Sequence, residues 1–551
     1  MKKILFALLA LILVLSACST ATTEPTDAVT EPEVVATEET VVEEATEEPA
    51  AATEEPVVVA TEEPAPAGPK RVVIGLGTES YPQRGWMIET DDGFSMSYMG
   101  VLETLVKVDY DGNMVPYLAE SWSQVDELTW QFNLRQGISF TNGEPFNAAA
   151  VVNALDHVRF SPTPPRGISA ETFTAIEAAD EYTVLFRTAT PDTLLPNRLT
   201  SPVTGILAPS AYTEVGAPVD PFNTGTGPFI LVDQVPEQSL TVVKNPNYWG
   251  GNVNIDEALI LLVPDPQIRA GMLQTGEIDI NIHLPVEQLP ILEADPNLVV
   301  LRAPTPRTTT LHLNMSRPPF DDVRVRQAVA YAIDKEAIVF ATLEGAGTAA
   351  IGPISFTEGW INDQLVGYPY NPDMARQLLA EAGYEEGELT IGLWTYPTRA
   401  NLPLTALAIQ GMLADVGVNV EIRLAQYDPM EPDVLGGNYD MFIVSRNHVL
   451  DSYDPEGFFT SDYSCAGGYN MDQFCDEEFD TLLAEARTLT DVEARYEIYR
   501  RLQSILVDEQ AVGVFLNYTQ IIDGVRSNVL NFQIHPLERF VLTAELDIVM
   551  P

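Results

Sequence analysis

Hydrophobic and polar residues alternate in several short runs that are typical of β-strands. Residues 71–76 (RVVIGL) form a short apolar run, which predicts a buried strand. In residues 129–135 (TWQFNLR) the apolar side chains occupy every second position, and residues 417–425 repeat this alternation. Because successive side chains of a strand point to opposite faces, each of these two runs predicts a strand with one buried face.

Other segments carry apolar residues at helical spacing. Asn371 and Pro372 supply a cap residue and a first-turn proline before an apolar stripe that ends at Gly383. A second stripe covers residues 325–333, and residues 490–493 (TDVE) match a capping box that opens a further helix. Strand and helix patterns alternate along the chain, so the predicted fold class is α/β.

The N-terminus carries signals of export and lipidation. A positively charged start (MKK) precedes an apolar run over residues 4–15, which is too short to span a bilayer comfortably. The run leads into Leu-Ser-Ala-Cys, which resembles the lipobox of bacterial lipoproteins, where the cysteine is lipidated and becomes the mature N-terminus. We therefore expect residues 1–18 to be a lipoprotein signal peptide with Cys18 as the lipidation site. The alternative is an ordinary secretory signal.

Residues 19–69 are of low complexity. They contain 14 acidic residues and no Lys or Arg, and the sequence Ala-Thr-Glu-Glu recurs four times. Such a segment cannot bury enough apolar surface to offset the entropy of ordering it. It is therefore expected to be a disordered acidic linker rich in Thr, Glu and Pro.

The charge of the 551-residue chain excludes several functions. Its 80 acidic and 29 basic residues give a net charge of −51. This balance argues against a nucleic-acid partner, because no basic surface is available to displace phosphate counterions. With one long apolar run, the chain is not a polytopic membrane protein, so the expected contact with a membrane is the lipid anchor alone.

Motifs of catalysis and cofactor binding are missing from the sequence. The five histidines are scattered, and there is no HExxH, CxxC, Walker or G-x-S-x-G pattern. The sequence therefore predicts no enzyme, no cofactor and no metal site. Cys465 and Cys475 are expected to form a disulfide, because outside the cell, with Cys18 lipidated, they are the only possible internal pair. A thiol metal site is the alternative, and it would lack further soft ligands.

Five segments in a fixed order carry the resemblance to a known family. They are LAESW at 118–122 with FNLRQGISF at 132–140, GTGPF at 225–229 with NPNYW at 245–249, LQTGEID at 273–279, PPFDDVRVRQA at 318–328, and YNP at 370–372 with LAEAGY at 379–384. With these segments the chain resembles the solute-binding proteins of ABC importers that handle peptides and, in some members, nickel or other solutes.

The resemblance implies a two-lobed periplasmic-binding-protein fold of type II, in its large peptide-binding class, with an extra subdomain in the first lobe. The lobes would close on a ligand about a hinge formed by crossings near 308–313 and 518–523. The expected organisation is a first lobe over 70–310 with an inserted subdomain at about 100–215, a second lobe over 311–520, and a return to the first lobe over 521–551.

The resemblance also implies residues that hold the ligand's ammonium group. Peptide-binding members use an aspartate in a D-x-x-D/E-P segment, which matches residues 451–455 (DSYDP). Asp451 is therefore the expected partner, and Tyr453 is a ligand-binding candidate in the same segment. Family members usually have Trp three residues before this aspartate. His448 stands there instead, and it could stack on the ligand, hydrogen-bond to it or ligate a metal.

Dipeptide-binding members carry an arginine for the ligand carboxylate shortly after an L-W-x-x-P segment. Residues 393–397 (LWTYP) resemble that segment, and Arg399 follows with an offset of one residue. Its planar guanidinium group suits a carboxylate. One of Trp394 and Tyr396 is expected to form an aromatic wall of the cleft, unless both belong to the core. The early S-L-D-P-type segment of the family is replaced by residues 81–86 (YPQRGW). Because that region often contacts the ligand in the family, the possibility of an unusual solute stays open.

These residues lead to a functional expectation. The protein is expected to be a monomeric, extracytoplasmic, lipid-anchored receptor that captures a short peptide between its lobes and delivers it to an ABC permease. Two alternatives stay open. The same fold could bind a non-peptide solute such as a nickel chelate, a sugar or an opine-like compound, or the chain could be a surface-tethered hydrolase.

Overall fold

A computed structural model describes residues 68–165, 167–355, 359–397, 401–449 and 452–550, which belong to one compact unit. The predicted signal peptide with Cys18 and the predicted linker up to residue 67 lie outside the described residues. Among the helices in the described ranges, none has the length and apolar character that a membrane crossing needs.

The β-strands are short, apart from two long ones, β12 and β17. The strands of the described residues are β1 Arg71–Leu76, β2 Val106–Val108, β3 Met114–Pro116, β4 Ala119–Asp126, β5 Thr129–Leu134, β6 Phe173–Asp180, β7 Thr183–Thr188, β8 Phe229–Val235, β9 Ser239–Lys244, β10 Glu257–Leu262, β11 Ile280–Asn281, β12 Leu298–Leu313, β13 Gly347–Ala349, β14 Thr390–Thr395, β15 Asn419–Leu424, β16 Met441–Asn447, β17 Gly513–Arg526, β18 Val529–Leu530 and β19 Asp547–Ile548.

Helices connect most of these strands. The α-helices of the described residues are α1 Asp91–Tyr98, α2 Ala148–Arg159, α3 Leu195–Arg198, α4 Pro266–Thr275, α5 Leu289–Leu292, α6 Val323–Ala332, α7 Lys335–Leu343, α8 Pro372–Glu381, α9 Asn401–Ala414, α10 Tyr427–Leu435, α11 Glu456–Tyr463, α12 Glu477–Ala486 and α13 Val492–Ser504.

The strands and helices predicted from the apolar patterns are present, with small shifts at their ends. The predicted strand at 71–76 coincides with β1. Helix α8 begins at Pro372, and the side chain of Asn371 caps it by accepting a hydrogen bond from the amide of Met374 at 3.1 Å. The local signals of cap and proline therefore decide where this helix begins.

The predicted capping box at 490–493 is wrong in its cap residue. Asp491, one residue after the expected Thr490, caps α13, and its carboxylate accepts hydrogen bonds from the amides of Glu493 (3.0 Å) and Ala494 (3.1 Å). A carboxylate at the N-terminus of a helix accepts from two amides and also interacts favourably with the helix dipole, so Asp491 outcompetes the threonine hydroxyl.

One large mixed sheet runs through the described chain. Its strand order is β15-β14-β16-β12-β17-β11-β1-β10-β9-β8, and β13 pairs with β17 beside this path. β1 pairs in parallel with β10 and β11, β14 pairs in parallel with β15 and β16, and β12 and β17 are antiparallel. Parallel strands joined by helical crossovers confirm the predicted α/β class.

A smaller antiparallel sheet shares the core of the first lobe. Its strand order is β4-β5-β7-β6, and α2 packs against it. Phe132 and Phe186 of this sheet, with ring centroids 5.1 Å apart, belong to the same buried cluster as Val72 and Ile74 of β1. The sheet falls inside the expected subdomain at about 100–215, and its buried face packs into the core of the first lobe.

Two further hydrophobic cores lie beyond β12 in the chain. One is built mainly from α6, α8, α9 and the strands β14 to β16. The other surrounds α11, α12 and α13, where Phe459 and Tyr499 are fully buried, and it also takes in Val108 and Leu537. Because Val108 precedes β12 and Leu537 follows β17, this third core joins residues of the expected first lobe to α11, α12 and α13 of the expected second lobe.

The pairing of the long strands β12 and β17 is interrupted by register shifts. Residues 298–304 pair with 526–520 and residues 308–312 pair with 518–513, and the register shifts between Pro304 and Thr308 and again between Thr309 and Thr310. The hydroxyl of buried Thr305 donates to the carbonyl of Thr519 at 3.2 Å. The first shift on β12 therefore begins a few residues before the first expected hinge crossing at 308–313.

Cys465 and Cys475 are joined by a disulfide. The bond connects the end of α11 to the start of α12. Between the two cysteines, the side-chain amide of Asn470 donates to the carbonyl groups of Ser464 (3.0 Å) and Phe474 (2.5 Å). The loop that the disulfide closes is therefore folded around a buried asparagine.

Candidate functional site

A cavity of about 1120 Å³ opens beside the first register shift of β12 and β17. Its lining comes from the region of α1 and α4, from β12 and β17, and from the elements around α9, α10 and β16. The volume lies slightly above the range of roughly 300–1,000 Å³ that is usual for small-molecule sites. Since both lobes and the strands between them contribute to the lining, this cavity is the interlobe cleft, and it has room for a solute of several residues.

One of the two predicted aromatic residues faces the cleft. Tyr396 lines the cavity, and its ring packs edge to face on Tyr427, another lining residue, at 5.3 Å between centroids. Trp394 is half-buried against the second-lobe core, with the guanidinium group of Arg423 at 3.9 Å over its ring. The lining that the structure describes includes Tyr396 and leaves out Trp394.

His448 and Tyr453 lie behind the cleft wall. His448 is buried, its amide donates to the carbonyl of Pro306 at 3.0 Å, and its ring lies 5.8 Å from that of Phe458. The ring of Tyr453 packs against Trp360 at 5.8 Å. The described lining stops at Asn447 on this stretch of chain and does not include either residue.

Asp451 and Arg399 lie outside the described residues, so their expected roles stay predictions. The segment after Asp451 contains a buried carboxyl group, that of Asp454. Burial raises the pKa of Asp454 to about 6, although the guanidinium group of Arg495 lies 3.4 Å away. The hydroxyl of Tyr499 donates to the same carboxyl group at 2.5 Å.

Sequence reasoning missed four arginines that line the cleft. Arg269 is buried and donates to the side chain of Asn281 at 2.9 Å, and Arg446 forms a salt bridge with Asp462 at 2.5 Å. Arg307 donates to the carbonyl of Ser445 at 3.1 Å. The fourth, Arg84, stands in the segment YPQRGW, whose departure from the family pattern was the available signal.

Asp523, His283 and Glu538 form a cluster beside the cleft. Asp523 of β17 is buried and accepts a hydrogen bond from the amide of His283 at 2.9 Å. Burial raises the pKa of Asp523 to about 6, against the opposing effect of His283. Nε2 of His283 lies 3.5 Å from Oε2 of Glu538, and both residues line the cavity.

A buried ion network links α3 to α11 and to the end of α12. The carboxylate of Glu456 accepts hydrogen bonds from Arg198 (3.1 Å) and Arg487 (2.5 Å), and Arg198 also pairs with Asp192 at 2.9 Å. Burial by itself would raise the pKa of Glu456, but the two guanidinium groups outweigh it and hold the pKa below its usual value. The network ties the first lobe to the segment that follows Asp451.

Across the described ranges, no group of three or more His, Cys, Asp or Glu side chains is arranged to hold a metal ion. His448 is one of the described residues. A metal-ligating role for it therefore gains no support.

The comparison with known proteins follows from this architecture. The family model of the bacterial extracellular solute-binding proteins, family 5 (middle region), matches residues 113–470. The chain belongs to this family. It is 32% identical to heme-binding protein A of Haemophilus influenzae (strain ATCC 51907 / DSM 11121 / KW20 / Rd) over 426 residues, which cover 72% of this chain and 77% of that protein. It is 28% identical to the dipeptide-binding protein of Escherichia coli (strain K12) over 455 residues, covering 77% and 84%.

A solved structure supports the same fold. The dipeptide-binding protein from Pseudoalteromonas sp. SM9913, in complex with Met-Leu, is similar with a TM-score of 0.76 and 23% identity, covering 87% of this chain and all of that chain. The expected two-lobed fold of type II is thereby confirmed. Family 5 proteins are extracytoplasmic binding components of ABC importers for peptides or related solutes, so this family 5 chain is not an enzyme. The alternative of a surface-tethered hydrolase is wrong.

Proposed function

We propose that this family 5 protein is a monomeric receptor, held at the outer face of the cell membrane by lipid on Cys18, that captures a short peptide and delivers it to an ABC permease. The observation that carries the proposal is the interlobe cleft, whose volume of about 1120 Å³ suits a peptide of a few residues. Relatives named for dipeptides and tripeptides support the same solute class.

In this proposal the two charged ends of the peptide bind at separate places. Asp451 binds the ammonium group, as its match to the D-x-x-D/E-P segment of peptide-binding members implies. Arg399 binds the carboxylate, and Tyr396 forms the aromatic wall. The described lining does not include Trp394, His448 or Tyr453, so their contacts with the solute stay predictions.

A non-peptide solute is the second candidate. Heme-binding protein A is 32% identical to this chain, against 28% for the dipeptide-binding protein, and the cleft wall contains four guanidinium groups. Anionic chelates or acids would suit such a wall. Under this reading the fold and the delivery to a permease stay the same, and only the solute changes.

Replacing Asp451 with asparagine is expected to weaken the binding of Met-Leu by about 10- to 150-fold, because one charge-assisted hydrogen bond of about 1.5–3 kcal/mol is lost. Isothermal titration calorimetry measures this. Asp373→Asn, which removes the same charge from an exposed position on α8, is the matched control and should bind normally. Equal affinity of the wild type for N-acetyl-Met-Leu and Met-Leu would show that Asp451 does not bind an ammonium group.

A further inference from the structure

The loop before α1 is held in one shape by a buried carboxylate. Asp92 is 1% exposed, and its carboxylate accepts hydrogen bonds from four backbone amides of residues 83–87. They belong to Gln83 (2.8 Å), Arg84 (3.1 Å), Trp86 (2.7 Å) and Met87 (3.2 Å). An ionised acceptor that gathers several amides fixes the backbone around it. The loop is therefore rigid before any solute arrives.

Side-chain contacts hold the same loop from outside. The indole of Trp86 donates to the side chain of Gln234 at 3.0 Å, and its ring packs edge to face on Phe222 at 6.4 Å. Gly85 and Trp86 have φ angles of 71° and 73°, so the chain turns sharply directly after Arg84. This turn leaves Arg84 at the tip of the loop, on the wall of the cleft.

Arg84 differs from the other arginines of the cleft. Arg269 and Arg446 direct their guanidinium groups to protein acceptors, and Arg307 donates to Ser445. The side chain of Arg84 is exposed, and within the described part of the chain its guanidinium group has no hydrogen-bond or ion-pair partner. A rigid loop thus presents an unpaired planar cation to the solute space.

We propose that Arg84 binds a carboxylate group of the captured solute, either the terminal one that it shares with Arg399 or a second one, and so selects acids over their neutral analogues, an inference that rests on the proposed capture of a solute in this cleft. The planar guanidinium group can donate two parallel hydrogen bonds to one carboxylate. Closure of the lobes removes water from this pair, which strengthens it. In a chain of net charge −51, a preformed cation inside the cleft is what allows an anionic group to enter.

Calorimetric titration with matched probes tests the assignment. Met-Leu carries a terminal carboxylate, Met-Glu-amide carries one only on its side chain, and Met-Leu-amide carries none. Gluconate and glucose form the corresponding non-peptide pair. The variants are Arg84→Gln, which removes the charge, and Arg84→Lys, which keeps the charge and loses the fork. Arg376→Gln on α8, an exposed arginine outside the cleft, is the charge-matched control.

The wild type should bind at least one acid of the panel more tightly than its neutral partner. Arg84→Gln should weaken the binding of that acid by about 10- to 150-fold and leave the binding of its neutral partner unchanged. The affinity of Arg84→Lys for the acid should lie between those of the wild type and Arg84→Gln. If the binding of Met-Leu depends on Arg84, the residue binds a terminal carboxylate; if the binding of Met-Glu-amide does, it binds a side-chain carboxylate. If only gluconate binds and depends on Arg84, the peptide proposal fails and the assignment of Arg84 holds. Unchanged binding of every acid by Arg84→Gln, or a wild type that binds no acid, overturns the assignment.

Discussion

Replacing Glu456 with glutamine is expected to lower the free energy of unfolding by roughly 3–5 kcal/mol, because the substitution removes a buried anionic partner from the buried guanidinium group of Arg198 and from the partly exposed one of Arg487. Arg487 loses its carboxylate, and Arg198 keeps only Asp192. The carboxylate of Glu456 is 1% exposed, so water cannot replace the lost contacts. Urea denaturation at pH 7 measures the loss.

The matched control for this prediction is Glu177→Gln. Glu177 pairs with Arg187 at 3.5 Å, and both side chains are about half exposed, so the change should cost less than about 1 kcal/mol. A loss of similar size in both variants would contradict a special role for the buried network. The stabilisation lies between α3 and α11, so the Glu456 variant should also populate more open conformations in small-angle scattering.

Acid is expected to destabilise the protein through His535. Burial lowers the pKa of His535 to about 3, and the ring is fixed in its neutral form. Nε2 donates to the carbonyl of Val108 at 3.1 Å, and Nδ1 accepts from the amide of Leu537 at 3.1 Å. A proton added at Nδ1 would face that amide, so protonation breaks the contact.

The direction and size of this pH effect follow from the difference between the pKa of His535 in the unfolded and in the folded protein. The native state favours the neutral ring, so the stabilisation is complete above about pH 6.5 and is lost as the pH falls from there to about 3. Over that interval the loss amounts to roughly 5 kcal/mol. His535→Gln keeps one donor and one acceptor, and its free energy of unfolding should depend less on pH across this range. Identical pH profiles for wild type and variant would refute the assignment.

Local patterns predicted the secondary structure because the deciding contacts are local. The alternation of 129–135 and the cap at Asn371 act within a few residues, and both are present in the structure. The third core could not be predicted in the same way. It joins Val108 to Leu537 and to α11, and no periodicity within one segment indicates a contact across more than 400 residues.

The site residues also differ in whether local sequence or distant contacts decide their position. The pattern left Trp394 and Tyr396 as equal candidates, and only the packing of Trp394 under Arg423 separates them. The four cleft arginines are alike in sequence. Arg269 is a buried structural residue because Asn281 accepts its hydrogen bond, and Arg84 is exposed because Asp92 holds its loop outward. Such distinctions depend on tertiary neighbours.

Native mass spectrometry of the purified protein, incubated with an equimolar mixture of short peptides, tests most directly whether the cleft captures solute without altering it. We expect one peptide of a few residues per chain, recovered on release with its mass unchanged. A spectrum in which the protein stays unliganded, carries only a non-peptide solute, or returns shortened peptides would contradict this expectation.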